Sequence, residues 1–236
     1  MEGQVINNYF TPHAVARNRV EDFLRNNLGV AKPVINTFIM RLQAVLTATD
    51  NAYEMTIVKS TTDRKNETKI SANELFFMTD IALLLGKEKA ALGGSASALY
   101  SSPSPAFFSE TGEAAALMTT FNGKLGLDDA NRKRFYDFET SAFYHRPQNS
   151  YVAAGSGIVE QYPQFNWADV KVGLEPFEIL SGQSDTKFTL KVGDGTRTAV
   201  AGLTSGGLTN IVNVFCFGFR VSDMAKTYDQ YLLSNK

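Results

Sequence analysis

Ile211-Val212-Asn213-Val214-Phe215-Cys216-Phe217-Gly218-Phe219-Arg220-Val221 reads as one long β-strand. Side chains on a strand alternate between its faces, so Ile211, Asn213, Phe215, Phe217, Phe219 and Val221 line one side. Valine, isoleucine and phenylalanine suit a pleated, buried surface. The same signature repeats upstream. Phe188, Leu190 and Val192 alternate with Lys187, Thr189 and Lys191, and Asp194-Gly195 spells a tight hairpin. Thr198–Leu203 reads as its return strand, and Ser205-Gly206-Gly207 turns the chain into the long strand. An earlier strand begins at Val170 and Val172, carries Phe177 and Ile179, and ends at Ser181-Gly182. Downstream, Ser222 can cap a final helix carrying Met224, Ala225, Tyr228, Tyr231 and Leu232.

The first part of the chain adds a helix and more strands. Residues 1–10 are polar and read as an arm. Thr11 can cap a helix with Pro12 at its first position, Ala16, Val20, Phe23, Leu24 and Leu28 recur at helical spacing, and Gly29 closes it. After Pro33 the period falls to two. Phe38, Met40, Leu42, Ala44 and Leu46 share a face, then Tyr53, Met55 and Ile57 follow the Asp50-Asn51 turn. Leu75–Leu85 is apolar on nearly every residue, which predicts a strand buried on both faces, with Asp80 as its lone charge. A long loop is expected from Ala90 to Pro105, a short helix from Thr111 to Phe121, and strand again at Lys124–Leu127. Gly155-Ser156-Gly157 is the best candidate boundary between two halves.

Composition narrows the function classes. The 236 residues carry 23 basic and 24 acidic side chains, a net charge of −1 that gives no global pull toward nucleic acid or an acidic membrane. The aromatic and basic residues of 132–146 could in principle stack and neutralise a single strand. A strand with aromatics packed inward and charges in water is the plainer reading, and no specific nucleic-acid recognition is expected. The single cysteine, Cys216, makes no internal disulfide and reads as a buried hydrophobe. The start, Met1-Glu2-Gly3-Gln4, lacks the order of a signal peptide, and no apolar run reaches membrane-span length.

Catalytic equipment is sparse. His13 and His145 are the two histidines, too few for a histidine-built metal centre. Ser184-Asp185-Thr186-Lys187 spells S-x-x-K, but it opens a strand rather than a helix and has no K-T-G partner. Thr61–Thr68 is polar and reads as an exposed loop, and its Asn66-Glu67-Thr68 is a glycosylation sequon by spelling only. Asp80, Glu139 and Glu160 are the carboxylates a glycosidase would have to pair. No catalytic, cofactor-binding or metal-ligating residue is assigned, and no cofactor is expected.

A helical arm, many strands with long loops and no assembled active site together resemble the jelly-roll capsid proteins of tailless icosahedral bacteriophages, including membrane-containing ones. The resemblance rests on the helix at 12–28 leading into the strand at 34–47, on Leu174-Glu175-Pro176 through Ser181-Gly182 leading into Lys187–Val192, and on the strand at 211–221. It implies an all-β jelly-roll sandwich with short terminal helices. About a dozen candidate strands, against eight for one jelly roll, leave open a compact double jelly roll, taken first, or one enlarged roll. The double roll divides the chain into an arm at 1–32, a first barrel at 33–150 and a second barrel with the C-terminal helix at 151–236. The implied function is a self-assembling virion protein, a capsid subunit in homotrimeric capsomers beside other capsid proteins, made in a host cytoplasm and localised to the virion. Its N-terminal helix would face an inner membrane, the genome or its own domain. Arg17, Arg19, Phe23, Arg25, Tyr228 and Tyr231 are the candidate interface residues on the arms, with the loop at 87–110 beside them. The alternative is a non-catalytic β-sandwich binding module, such as a phage fibre, baseplate or carbohydrate-binding protein.

Overall fold

The computed structural model describes residues 11–89, 99–103, 108, 112–129, 132–145, 153–154, 157–158, 167–193 and 208–234. Strands β1 (Asn36–Val45), β2 (Ala52–Thr56), β3 (Leu75–Lys89), β4 (Lys124–Asp129) and β5 (Arg132–Glu139) are followed by a two-residue pair, β6 (Ala153–Ala154) and β7 (Gly157–Ile158). Then come β8 (Val172–Ser181), β9 (Lys187–Lys191) and β10 (Leu208–Val221). Helices are α1 (Thr11–Leu28), α2 (Glu113–Leu117), α3 (Trp167–Val170) and α4 (Ala225–Ser234).

The long strands pair from the outside inward. β1 lies antiparallel to β10, β2 to β9, β3 to β8 and β4 to β5. The chain thus behaves as one long hairpin folded over on itself. Two further antiparallel pairings, β10 with β3 and β4 with β9, gather these hairpin rungs into two sheets, ordered β1-β10-β3-β8 and β2-β9-β4-β5.

Each sheet turns one face toward the other. Met40 and Leu42 of β1, Val212, Val214 and Cys216 of β10, and Ile81, Leu83 and Leu85 of β3 meet Tyr53, Met55, Leu125, Leu127, Phe188 and Leu190 of the second sheet in one buried cluster. Alternation along the strands does this, and it makes an antiparallel sandwich. Both sheets draw strands from both sides of residue 150, so the described residues form one sandwich. The expected barrels at 33–150 and 151–236 are crossed by strand pairing: among the described residues β1 and β2 pair with β10 and β9 of the other half.

β3 is buried on both faces, as its sequence predicts, and so is β10, for which the sequence reading placed the apolar residues on one side. The side of β10 that carries Phe215, Phe217, Phe219 and Val221 faces away from the sandwich core, into two outer clusters. Thr79 is an extra residue of β3 against β10, while on the other side Leu174–Phe177 of β8 are the excess residues opposite it. The Thr79 hydroxyl donates to Asp80 Oδ2 at 2.8 Å and contacts the Phe217 carbonyl at 3.2 Å, which gives the lone acid of the run its partner. Opposite the bulge, a Cβ on Gly218 would lie 1.9 Å from the Phe77 carbonyl oxygen, so only glycine fits that close approach. Gly29 ends α1 at φ +68°, the left-handed conformation glycine adopts without strain.

The short helix expected at Thr111–Phe121 is α2 plus a 3-10 turn at Met118–Phe121. β3 runs to Lys89, so Lys87–Lys89 of the candidate interface loop at 87–110 belong to a strand, and the rest of the expected loop at 90–105 lies largely outside the described residues. The hairpin at Asp194-Gly195, its return strand Thr198–Leu203 and the arm at 1–10 lie outside the described residues. No described helix is long and apolar enough to cross a membrane.

Candidate functional site

The candidate interface residues separate by chemistry. Phe23, midway along α1, sits edge-on to Phe77, Phe177, Tyr228 and Tyr231, with ring centroids 5.9–6.4 Å away. Tyr228 and Tyr231 of α4 stack on each other at 6.4 Å, and the Asn27 amide donates to the Tyr231 hydroxyl at 3.0 Å. With Val20, Leu24, Leu75, Phe219 and Ala225 they form a cluster that covers the outer face of the first sheet. The arm helices therefore dock on their own domain through the apolar stripe, the plainest of the alternatives the sequence left open. Arg17, Arg19 and Arg25 stay exposed, and Arg25 pairs with Glu21 one turn before it.

Further along that outer face lies an aromatic patch. Trp167 packs edge-on to Phe215 and Phe217, each 5.2 Å away, and is about one-third exposed. The Lys171 ammonium lies 3.7 Å from the Phe217 ring centre, and the Arg41 guanidinium 5.3 Å from that of Phe215.

A polar network continues the face under the 60–69 loop. Arg41 donates through Nε and Nη2 to Asn213 Oδ1 at 3.0 and 2.9 Å, and Gln43 Nε2 donates to the same oxygen at 2.8 Å. Burial lowers the Arg41 pKa, and the charge of Glu88 opposes that shift. Glu88 is fully buried. Its Oε2 accepts from Arg64 at 2.8 and 3.2 Å, and its Oε1 from Asn66 Nδ2 at 3.2 Å. That bond employs the sequon's own amide. Glu67 receives the backbone N–H groups of Gln43 and Arg64, and Lys69 bridges Asp63 and Glu67 at 2.8 and 3.2 Å. The loop is thereby sewn to β1 and β3. Sequence reasoning treated it as an exposed stretch and missed the network. The available signal was Glu88, an acid at the end of a doubly buried strand.

Beside the loop opens a cavity of about 520 Å³, whose lining includes Ser60, Thr62, Glu67, Lys69, Ser184 and Thr186. It contains the S-x-x-K serine, but not in catalytic form. Ser184 Oγ donates to the Ser181 carbonyl at 3.0 Å and lies 2.7 Å from Thr186 Oγ1. Lys187 donates to Glu54 at 2.7 Å, and that hydrogen bond, its largest cause, raises the lysine pKa. A lysine held in its charged form is no base for the serine.

The remaining candidates do not converge. Asp80 lies in the first sheet. Glu139 ends β5 in the second, 3.3 Å from Lys124, and Glu160 is outside the described residues. His145 is tied through its backbone to Ser101, and the His13 side chain lies outside the described residues. Cys216 is fully buried, which pushes its thiol pKa up and keeps it protonated. No group of three or more histidine, cysteine, aspartate or glutamate side chains is placed to hold a metal ion among the described residues. Inside the sandwich, Lys87 meets Glu113 of α2 at 3.0 Å, and Asn210 Nδ2 donates to the other carboxylate oxygen at 2.8 Å.

Among the described residues the geometry offers surfaces and a sewn loop, and the S-x-x-K pair does not place a base beside its serine. Compared with known proteins, the chain matches no family model, no curated protein and no solved structure.

Proposed function

We propose that this chain is a virion structural protein, a self-assembling capsid subunit built on one jelly roll. The observation that carries the reading is the nested strand pairing β1·β10, β2·β9, β3·β8 and β4·β5, rolled into sheets β1-β10-β3-β8 and β2-β9-β4-β5. Eight strands in two sheets with this wrapped order support the jelly-roll plan, which viral capsids, lectins and cupins use. Fold alone does not choose among those functions. The histidines a cupin centre needs are too few, as the composition already argued. Assembly is the use to which the long loop expected from the sequence at 90–105 would be suited, because loops on a rigid scaffold often carry contacts.

In this reading trimers tile a closed shell, and α1 braces its own subunit while presenting Arg17 and Arg19 outward. Those two arginines are the contact offered to an inner membrane or a packaged genome. The test is the molar mass of the purified chain by light scattering across concentration and salt. Trimers or larger closed species support the proposal. A monomer under every condition contradicts it.

A second reading, a carbohydrate-binding module, draws on the hydroxyl-lined cavity beside Ser184 and Thr186. Trp167, the natural sugar-stacking platform, is spent on Phe215 and Phe217 instead. A glycan screen decides: a specific hit supports the module, and none is expected of a shell subunit.

A further inference from the structure

A two-sheet sandwich has four edge strands, and each presents unpaired backbone groups that invite another strand. Three of these edges carry protection. β8 contains Pro176, which has no N–H, together with Glu175 and Glu178. β2 is five residues long with exposed Glu54 at its centre. β5 ends in exposed Asp137 and Glu139.

The fourth edge, β1, is protected over only half its length. Arg41 exchanges both backbone hydrogen bonds with Thr68 at 2.9 Å, and the Gln43 N–H is taken by the Glu67 carboxylate at 3.0 Å. Backbone groups on a strand point alternately to either side, so those of Thr37 and Ile39 face the same way as those of Arg41. Among the described residues nothing pairs with them there. The side chains match the backbone. Val34-Ile35-Asn36-Thr37-Phe38-Ile39-Met40 holds no charge, and Val34 and Ile39 are 72% and 49% exposed.

We infer that the open half of β1 is a self-contact, at which a second copy of this chain adds its own β1 antiparallel about a two-fold axis near Thr37. The inference rests on the assembly reading and names the partner and the contact. A second copy fits because the segment is neutral and self-complementary: antiparallel pairing about Thr37 sets Ile39 beside the partner's equivalent of residue 35. Pro33 then ends the incoming strand before it reaches Thr68. The two sheets become one continuous eight-stranded sheet across the contact, which joins neighbouring trimers without using the three-fold interface. Isologous contacts of this kind close rather than propagate.

The experiment uses Thr37→Cys in the full chain, where the native Cys216 is fully buried. Across an antiparallel pair the Cα atoms lie about 5.5 Å apart, within disulfide reach. Under mild oxidation, disulfide dimers should form about tenfold faster than in an exposed-edge control, Glu139→Cys, because the contact raises the local thiol concentration. Adding Ile39→Lys should remove that advantage, and Val34→Glu serves the same purpose if the first variant loses its circular dichroism spectrum. Equal rates for Thr37→Cys and the control overturn the inference, as does an advantage that survives both charge substitutions. Electron microscopy of the same samples separates the two claims. Cross-linking without particles leaves the edge contact standing and sinks the shell reading. Particles without cross-linking do the reverse.

Discussion

Glu113→Gln tests the interior most severely. Glu113 is fully buried and Lys87 is 4% exposed, with the ammonium 3.0 Å from Oε2 and the Asn210 amide 2.8 Å from Oε1. The Phe108 ring lies 5.3 Å from the ammonium and helps exclude water. Two charges taken from water together offset much of each other's desolvation. Removing one leaves the other to bear the cost, about 3–5 kcal/mol in such settings. The glutamine keeps the acceptor for Asn210 but turns an N–H₂ group toward the ammonium. For a chain of this size each kcal/mol moves Tm by roughly 2–4 °C, so the variant should melt about 6–20 °C below wild type. Lys87→Met should cost a similar amount from the opposite side. The double variant Lys87→Met/Glu113→Leu should recover most of the loss, keeping only about 1–3 kcal/mol for the Asn210 donor that loses its acceptor. Thermal melts and urea titrations with an unchanged slope are the assay. A Glu113→Gln protein within about 2 °C of wild type would refute the argument, because a pair that cheap to break is not buried.

Other expectations follow from single contacts. Cys216 should resist thiol reagents until the whole domain unfolds. Because its folded pKa lies above the unfolded value, stability should fall as pH rises past the unfolded thiol's range near about 8.5, and Cys216→Ala should flatten that slope in urea titrations. Phe23→Ala removes four edge-on ring contacts at a half-buried site and should cost about 2–3 kcal/mol, below the roughly 3–5 of a fully buried phenylalanine. Gly218→Ala forces β10 away from the Phe77 carbonyl and should cost at least about 3 kcal/mol, read from the same melts. Residues 33–150 expressed alone should stay unfolded by circular dichroism, because β1 and β2 lose the partners they have in the intact chain. A cooperative melt from that fragment would restore the two-barrel division.

Local signals in the sequence carried far. Leu75–Leu85 announced a strand buried on both faces and Ile211–Val221 a long strand, and both strands form there. The helix at 12–28 was legible from its stripe, and Gly29 marked its end. Partnership between strands was not legible. The pairing β1·β10 joins residues more than half the chain apart, and nothing in Phe38, Met40 or Leu42 names Val212 or Val214 as neighbours. Periodicity says which face a residue shares, not which strand lies beside it. The same gap hid the polar network. Arg64, Asn66 and Glu88 read as unrelated polar residues until the fold brings the loop over β3. It also hid the half-protected edge of β1, because the cover over Arg41 comes from Thr68, in a segment that read as exposed loop.

Electron cryomicroscopy of the particles formed when the chain is expressed alone tests the central claim most directly. The account predicts closed shells whose subunits cluster about three-fold axes. Each subunit's density should fit a single sandwich of two four-stranded sheets, with β1 edges meeting at the two-fold positions. A monodisperse monomer that forms no particles, or open filaments built from some other contact, would contradict it.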